Sequence, residues 1–410
     1  MSEERKVVII GGGAAGFFTA INLAEANPNL SISILERGKE VLTKVRISGG
    51  GRCNVTHAEF IPQELNKNYP RGEKELLGPF HQFMTGDTIA WFEERGIELK
   101  TEEDGRMFPV TDSSETIIDC FLAETERLNI EVKTGHAVQD IRHTKQKWLI
   151  KTTKGDFTAD QLVVATGSNP KIWELLKNLG HQIIPPVPSL FTFNIQDHRI
   201  KDLAGISTFA HIKIVKEKLE SDGPLLITHW GLSGPGILKL SAWGARILEA
   251  KNYHFKIEVN WLGYKTSEEI VEKIKKLKIK LAKQQLTTQA QFNLPKRLWV
   301  SLVKATKIPE TQKWAELSKK QISDLAKELT ACRLAVNGKS TFKEEFVTAG
   351  GVDLKEINFK TFESKVYNNL FLAGEILNID AVTGGFNFQN AWTGGYLAAQ
   401  GIAKNIENED

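Results

Sequence analysis

The first 36 residues contain the pattern that most restricts how this chain can fold. An apolar, β-branched run over residues 7–10 predicts a buried strand, and a turn follows it with Gly11, Gly13 and Gly16 in the spacing GxGxxG. The next residues predict a helix and then a second strand, which delivers Glu36. This order of elements is typical of a dinucleotide-binding unit of the Rossmann type.

Each part of that unit has a physical role in holding a dinucleotide. The first glycine permits the tight turn, the second lets the backbone approach a pyrophosphate, and the third lets helix and strand pack closely. N–H groups at the start of the helix face the phosphates, and the acidic residue can accept hydrogen bonds from ribose hydroxyls. The unit alone does not separate FAD from NAD. The predicted dinucleotide contacts are Gly11, Gly13, Ala14, Ala15, Gly16, Glu36 and Arg37.

A second glycine-rich segment, residues 43–57, shows neither helical nor strand periodicity. Its three glycines lie among arginines and small polar residues, which is typical of a loop that wraps an anion with N–H groups and cationic side chains. A flexible surface loop is the alternative. The predicted contacts in this segment are Lys44, Arg46, Ser48, Gly49, Gly51, Arg52, Cys53 and Asn54.

The stretch KVRISGGGRCNVTH in this segment resembles the signature of a bacterial flavoprotein family, the aminoacetone-oxidase-like or bile-acid-oxidoreductase-like FAD enzymes. The resemblance implies FAD as the cofactor. It also implies that Ser48, Gly49, Gly51 and Arg52 follow the diphosphate. Cys53 and Asn54 are then expected near the isoalloxazine ring.

Two segments in the middle of the chain agree with this resemblance. A strand opens near Val138, where relatives bind adenine through the backbone of the valine. The apolar run from Leu162 ends in Ala165-Thr166-Gly167, a turn that in such flavoproteins passes close to the nucleotide half of the cofactor. The residues after this turn lack the glycine-rich continuation of many relatives, so substrate specificity does not carry over.

A change of pattern after the proline-rich residues 185–188 predicts an inserted domain over residues 191–339. We expect a small β unit over 191–265 and a helical unit over 266–339. The lysine-rich run within the helical unit is interpreted as the solvated face of an amphipathic helix. His229, in a stretch that matches the family's T-H-x-G-L-S-G-P, is either an acid/base or the support of a turn.

The chain then returns to the Rossmann domain. A last buried strand ends in Gly374-Glu375, which in flavoproteins of this plan meets the ribityl–phosphate region. Residues 379–387 lead into a helix whose N-terminus can stabilise negative charge on a reduced flavin. The predicted contacts of this return are Gly374, Glu375, Gly384, Gly385, Phe386 and Asn387.

Composition narrows the function further. The net charge of +3 gives no general argument for nucleic acid, and no apolar stretch approaches a membrane span. The start of the chain lacks the pattern of a secretory signal, and its three cysteines lie far apart, so we expect a reducing, cytoplasmic location. Without neighbouring thiols, a flavin-disulfide reductase is disfavoured. No metal site is predicted.

The fold expected from these patterns is α/β: a two-dinucleotide-binding-type FAD Rossmann domain, residues 1–190 and 340–410, with an inserted β plus helical domain. We expect an oxidoreductase that transfers hydride between a small organic substrate and flavin N5, with oxygen or transiently bound NAD(P)H as electron partner. His229 and Asn54 are the candidate catalytic residues. The alternatives are an RNA-modifying flavoprotein and a non-catalytic flavin sensor. The oligomeric state is not determined by the sequence.

Overall fold

The computed structural model describes residues 5–144, 147–340 and 347–409. These residues divide into two compact units. The first lies within Met1–Val187 and Val347–Asp410, and the second lies within Pro188–Phe346. The boundaries expected from the sequence were 190/191 and 339/340.

The first unit is built on a seven-stranded sheet. Five adjacent strands are parallel and reach one edge of the sheet, and the two strands at the other edge are antiparallel. In order across the sheet the strands are Ile357–Asn358, Glu363–Ser364, Leu370–Leu372, Gln161–Val164, Lys6–Ile10, Ser31–Glu36 and Glu131–Thr134.

Three smaller sheets complete the strands of this unit. One is a meander of Val138–His143, Trp148–Thr152 and Gly155–Ala159, and a second has the order Thr56–His57, Arg106–Pro109 and Leu99–Thr101. The third pairs Ile183–Ser189 with Val347–Val352. The helices are Ala14–Ala26, Thr43–Gly51, Pro62–Leu65, Glu73–Phe80, Thr85–Glu93, Glu115–Arg127, Pro170–Asn178 and Phe386–Glu409.

The helix after the first glycine turn, Ala14–Ala26, packs along the C-terminal helix Phe386–Glu409. Gly395 permits the close approach, because a Cβ there would lie 3.0 Å from the carbonyl oxygen of Ala15. Both helices contribute to a buried aromatic cluster, in which the rings of Phe18 and Trp392 have centroids 5.2 Å apart. The beginning and the end of the chain therefore share one core.

The second unit contains a seven-stranded antiparallel sheet and four α-helices among its described residues. In order the strands are Cys332–Asn337, His254–Asn260, Ser207–Ile214, Glu220–Ile227, Gly231–Ser233, Thr192–Asn194 and Lys339–Ser340. The helices are Pro235–Ala250, Ser267–Lys280, Lys296–Ala305 and Lys319–Thr330.

The division into a β part and a helical part needs two corrections. The Pro235–Ala250 helix lies inside the segment expected to be only strands, and it begins at a proline directly after Gly234. The Cys332–Asn337 strand lies inside the segment expected to be helical, although its residues alternate strictly between buried and exposed. This alternation with a period of two is typical of a strand. It was missed because a longer helical pattern precedes it.

Candidate dinucleotide site

The predicted cofactor residues of the first unit collect at one edge of its parallel sheet. Because five adjacent strands are parallel, their carboxyl ends meet at the same edge. The first glycine turn, Glu36, the turn at 165–167 and the pair Gly374-Glu375 all lie at or directly after these strand ends. Ligands of open α/β sheets bind at this edge.

The three motif glycines have different surroundings. Gly11 has φ +116°, and a Cβ there would lie 2.4 Å from the carbonyl oxygen of Ala165. A Cβ on Gly16 would lie 2.0 Å from the carbonyl oxygen of Gly11. A Cβ on Gly13, in contrast, would have no atom of the surrounding described residues within 4 Å. Gly11 and Gly16 are therefore required by the fold itself, and the open space beside Gly13 is available to a ligand.

The start of the Ala14–Ala26 helix borders this open space. The first N–H of the helix to bond within it is that of Phe17, which donates to the carbonyl oxygen of Gly13 at 3.0 Å. The earlier N–H groups, those of Ala14, Ala15 and Gly16, have no carbonyl partner within the helix. Such a helix start binds phosphate groups.

Glu36 is held firmly by the backbone. One carboxylate oxygen accepts from the N–H of Gly12 at 2.9 Å and the other from the N–H of Gly38 at 2.7 Å. Each carboxylate oxygen can accept more than one hydrogen bond, so acceptor capacity remains for a ribose. The neighbouring Arg37 is exposed.

The turn after the Gln161–Val164 strand brings more predicted residues together. The hydroxyl oxygen of Thr166 is buried and has no hydrogen-bond partner among the described residues. A Cβ on Gly167 would lie 3.6 Å from a carboxylate oxygen of Glu375, and the same oxygen accepts from Lys44 Nζ at 2.6 Å. A buried hydroxyl without a partner is the kind of polar atom that a ligand satisfies.

The second glycine-rich segment differs from the loop expected there. Residues Thr43–Gly51 are helical up to a kink, where Ser48 has ψ 150° and Gly49 and Gly50 are left-handed. The helical part begins where Leu42 donates its N–H to the carbonyl oxygen of Gly12 at 2.8 Å, and the contact with the first motif overrides the weak local pattern. A Cβ on Gly50 or Gly51 would meet no protein atom within 4 Å.

The two arginines of this segment are paired with carboxylates of the protein. Arg46 bonds Glu115, and its buried Nε has no hydrogen-bond partner among the residues that the structure describes. Arg52 donates to Glu102 at 2.6 Å, and its guanidinium lies 3.9 Å above the centre of the Phe108 ring. Their predicted contacts with a diphosphate stay predictions.

Asn54 connects the second glycine segment to the start of the C-terminal helix. With its amide oriented to suit its neighbours, its oxygen accepts from the N–H of Gly385 at 2.9 Å. Its nitrogen donates to the carbonyl oxygens of Thr56 at 3.1 Å and Met107 at 3.3 Å. All of these partners are backbone groups, so the Asn54 side chain acts as a clamp that holds the second glycine-rich segment against the turn at Gly385.

Replacing Asn54 with Ala should therefore destabilise the first unit. The substitution removes the acceptor of the Gly385 N–H and one donor to the carbonyl oxygens of Thr56 and Met107, and the expected loss is about 1–3 kcal/mol of unfolding free energy. Urea unfolding of the FAD-free protein measures it. Asn54→Asp keeps the acceptor but turns an oxygen without a proton toward two carbonyl oxygens, so it should also lose stability; an Asn54→Ala protein as stable as the wild type would contradict the clamp.

The glycine turn before the C-terminal helix is packed closely against the second segment. A Cβ on Gly385 would lie 2.5 Å from the carbonyl oxygen of Thr56. Nδ1 of His57 lies 3.0 Å from the carbonyl oxygen of Gly384, and the His57 ring stacks on Phe386 with centroids 4.5 Å apart. The side chain of Asn387 bonds the backbone of Ala381 in both directions, at 3.0 and 3.3 Å. These side chains hold the turn in place.

Several residues that support this region were not identified from the sequence. Arg71 pairs with Asp380, whose side chain is fully buried just before the glycine turn. The indole N–H of Trp392 donates to the carbonyl oxygen of Val55 at 2.9 Å. The hydroxyl of Tyr69 donates to the carbonyl oxygen of Phe386 at 2.6 Å. No local motif marks these residues, because each contact joins segments that are distant in the chain.

The cysteines are buried and free. Burial raises the pKa of Cys53 to about 12 and that of Cys120 to about 11, and it also raises the pKa of Cys332. The Cys53 thiol therefore keeps its proton at neutral pH. It is also the only one of the three in the second glycine segment.

The native protein should react with dithionitrobenzoate at none of its thiols near neutral pH, because only the thiolate is nucleophilic. The unfolded protein in urea should expose all three. Raising the pH through the ordinary thiol pKa of 9.0 should accelerate labelling of the unfolded chain first, since the Cys53 thiol ionises in the native state only at about 12. Rapid labelling of Cys53 in the native protein would contradict its burial.

Two predicted residues lie away from these contacts. Val138 begins a strand of the three-stranded meander and pairs with Thr152. His229 belongs to the second unit, where it is exposed on the bend between the strands Glu220–Ile227 and Gly231–Ser233. Within this bend the hydroxyl of Thr228 bonds the backbone of Gly231, so the turn is held by a residue other than the histidine.

None of the helices in the described ranges is both long enough and apolar enough to span a membrane.

Comparisons with known proteins extend over nearly the whole chain. A family model described as the HI0933-like protein Rossmann domain matches residues 5–401. A ribosomal RNA dihydrouridine synthase of Haemophilus influenzae is 29% identical over 418 residues, which cover 98% of this chain and 100% of that protein. A 3-dehydro-bile acid delta(4,6)-reductase of Clostridium scindens is 27% identical and covers 97% of this chain and 99% of that protein.

A solved structure shares the fold. The 3-ketosteroid-delta4-(5alpha)-dehydrogenase from Rhodococcus jostii RHA1 superposes with a TM-score of 0.50 at 13% identity. The match covers 97% of this chain and 98% of that one.

Proposed function

The chain belongs to the HI0933-like Rossmann family of FAD-binding oxidoreductase flavoproteins, and from this premise we propose that it reduces a carbon–carbon double bond conjugated to a carbonyl group. The observation that supports its use of FAD is the convergence of four predicted segments at the carboxyl edge of one parallel sheet. The choice of a conjugated double bond rests on the relatives, as argued below.

The residues at this edge fit FAD. The space beside Gly13 and the start of the following helix would take the pyrophosphate, and Glu36 would take a ribose. The buried hydroxyl of Thr166 would gain a partner, and the open backbone at Gly50 and Gly51 leaves room for the cofactor. Bound FAD would supply hydride from N5 of its ring.

The start of the Phe386–Glu409 helix would stabilise negative charge on the reduced flavin. The first N–H to bond within the helix is that of Gln389, which donates to the carbonyl oxygen of Gly385 at 3.0 Å. The N–H groups of residues 386–388 therefore present the positive end of a 24-residue helix. Asn54 and His57 fix the glycine turn that orients this end, and we assign both as positioning residues.

Saturating a double bond consumes one hydride and one proton, so an acid is also needed. His57 is a poor donor in its neutral form, because its Nδ1 proton is held toward the carbonyl oxygen of Gly384. His229 of the second unit is exposed, and it is the candidate that the sequence offers for this role. Its assignment as the proton donor stays a prediction.

His229→Asn should lower kcat by about 10²-fold with unchanged FAD content, because general acid catalysis contributes on that order. The alkaline limb of the pH–rate profile, where a general acid loses its proton, should move, whereas a residue that only holds the turn would leave it in place. His198→Asn, at another exposed histidine of the second unit, is the control.

The two relatives suggest the bond that is reduced. Formation of dihydrouridine saturates the C5–C6 double bond of uracil, which is conjugated to a carbonyl group. A delta(4,6)-reductase acting on a 3-dehydro bile acid saturates double bonds conjugated to a ketone. These substrates differ in size and charge, yet both reactions add hydride to a carbon–carbon bond polarised by a carbonyl. We propose NAD(P)H as the electron donor of this reduction, with oxygen as a competing acceptor.

The test is an anaerobic titration of the purified protein followed by its visible spectrum. FAD should be present or be taken up, NADH or NADPH should bleach it, and a 3-keto-Δ4 steroid should restore the oxidised spectrum with saturation of the ring double bond. No flavin bands even after addition of FAD would overturn the cofactor assignment. Bleached flavin that no conjugated carbonyl compound reoxidises would overturn the substrate class.

A second candidate substrate, a uridine in ribosomal RNA, is favoured by the relative from Haemophilus influenzae, which aligns over its full length. Ribosomal RNA from cells that lack this protein should then lose one dihydrouridine, and the purified protein with NADPH should restore it. If the dihydrouridine content is unchanged, the RNA candidate fails while reduction of a small enone remains testable.

A further inference from the structure

The small net charge of the whole chain conceals an uneven distribution. Residues 266–339 contain sixteen Lys and Arg residues against seven Asp and Glu, a net charge of +9. The rest of the chain therefore carries −6, since the total is +3. An excess of one sign within one part of a protein creates a local field that attracts the opposite charge.

Most of these cations form no ion pair with a carboxylate of the described residues. The ion pairs they form with carboxylates in the described ranges are Lys275 with Glu272, Lys304 with Glu310 and Arg333 with Glu258. Other carboxylates of the segment are occupied elsewhere. Glu328 pairs with Arg199, and Glu269 and Glu316 bond the N–H groups that start helices.

The structure brings lysines from three segments to one end of the helical part. Lys278, near the end of the Ser267–Lys280 helix, donates to the carbonyl oxygen of Leu317 at 2.6 Å. Just beyond it, Gln285 and Lys313 form an antiparallel bridge, and Trp314 donates its N–H to the carbonyl oxygen of Gln284 at 3.0 Å. We call the exposed lysines on these joined segments the lysine cluster: Lys280, Lys283, Lys313, Lys319 and Lys320.

The start of a helix adds to this positive surface. The helix Lys319–Thr330 begins within the cluster, so the positive end of its dipole has the same sign as the lysines. The carboxylate next to the cluster is Glu316, which is committed to the N–H of Lys313 at 3.1 Å. The lysine cluster therefore groups five positively charged side chains where one helix ends and another begins.

We propose that the lysine cluster binds the phosphate backbone of RNA and so docks the RNA substrate of the proposed reductase. The proposal rests on the RNA form of the proposed function. Lysine ammonium groups act as point charges, which suit contacts with phosphates that position a nucleic acid without reading its bases. The binding energy would come largely from release of counterions, so it should depend steeply on salt.

The experiment measures binding without turnover. The FAD-loaded protein is titrated against a fluorescein-labelled RNA hairpin transcript, and fluorescence anisotropy is recorded over a series of salt concentrations. The test variant carries Lys283→Gln, Lys313→Gln, Lys319→Gln and Lys320→Gln together. The matched control carries the same change at four exposed lysines of the first unit, Lys74, Lys177, Lys360 and Lys404.

The cluster variant should lose at least about tenfold in RNA affinity, and the slope of log affinity against log salt should fall by about 3, close to one per lost phosphate contact. The control variant should bind RNA like the wild type. Both variants should keep the wild-type FAD content and reduce a small enone at the wild-type rate, which separates this proposal from the proposed function.

The proposal would be overturned if the wild type failed to bind RNA or if the cluster variant bound RNA as tightly as the wild type. It would also be overturned if the control variant lost as much RNA affinity as the cluster variant. Binding to phosphatidylglycerol vesicles that depends on the cluster, without RNA binding, would assign the surface to a membrane instead.

Discussion

Gly13→Val should give a protein that folds like the wild type and binds FAD about 100-fold more weakly, or about 2.7 kcal/mol. The backbone at Gly13 is extended, with φ −103° and ψ −171°, which valine adopts without strain. The space around its Cβ is empty of protein, so the new methyl groups occupy the volume assigned to the pyrophosphate. FAD affinity is measured by quenching of flavin fluorescence, and folding by the urea midpoint of the FAD-free protein.

Gly86→Val is the matched control, because a Cβ there also meets no protein atom within 4 Å and the residue lies in the Thr85–Glu93 helix, outside the predicted site. It should keep the FAD affinity of the wild type. Gly11→Val provides the opposite contrast, since its Cβ would overlap Ala165 and its φ is unfavourable, so this variant should lose the fold together with FAD. If Gly13→Val bound FAD as tightly as the wild type does, the pyrophosphate would have to lie elsewhere.

Arg71→Met should lower the unfolding free energy of the first unit by about 3–5 kcal/mol. Arg71 is nearly buried and Asp380 is fully buried, so removing the guanidinium takes away the cation that this interior carboxylate bonds. Urea unfolding of the FAD-free protein, followed by tryptophan fluorescence, measures the loss. The double variant Arg71→Met/Asp380→Asn should lose less than Arg71→Met, because it also removes the buried negative charge.

Lys67→Met is the control for this pair. Lys67 bonds Glu64 at 2.7 Å, but both side chains are about half exposed, and such surface pairs contribute less than about 1 kcal/mol. A loss for Arg71→Met as small as that of Lys67→Met would show that the buried pair contributes little to the stability of the glycine turn.

The sequence was sufficient where a single local pattern determines the structure. The predicted helix after the first glycine turn is present as Ala14–Ala26, because the turn before it and Asn27-Pro28 after it limit it on both sides. The predicted α/β Rossmann fold is confirmed by the parallel sheet and the family match. The family resemblance itself came from one short motif, and the family model extends that match over almost the whole chain.

The sequence was insufficient where distant segments determine the local structure. The helical turn before Ser48 forms because the N–H of Leu42 bonds the first glycine turn. The periodicity of the local sequence does not predict this contact. The contacts of Asn54 with Gly385 and of Arg71 with Asp380 each join residues that are more than 300 positions apart. The distribution of charge was readable from the sequence, but the grouping of lysines from three segments needed the fold.

The hydrogen bond from Trp392 to Val55 spans 337 residues and has a consequence for synthesis of the chain. A ribosome makes the first glycine turn, the second glycine-rich segment and four of the seven sheet strands before the second unit, and the helix that supports them after it. The nascent chain therefore carries an incomplete nucleotide site while the second unit is translated, and such exposed surfaces attract chaperones. We expect FAD to be retained only once this helix is in place, so retention of FAD reports that it has packed.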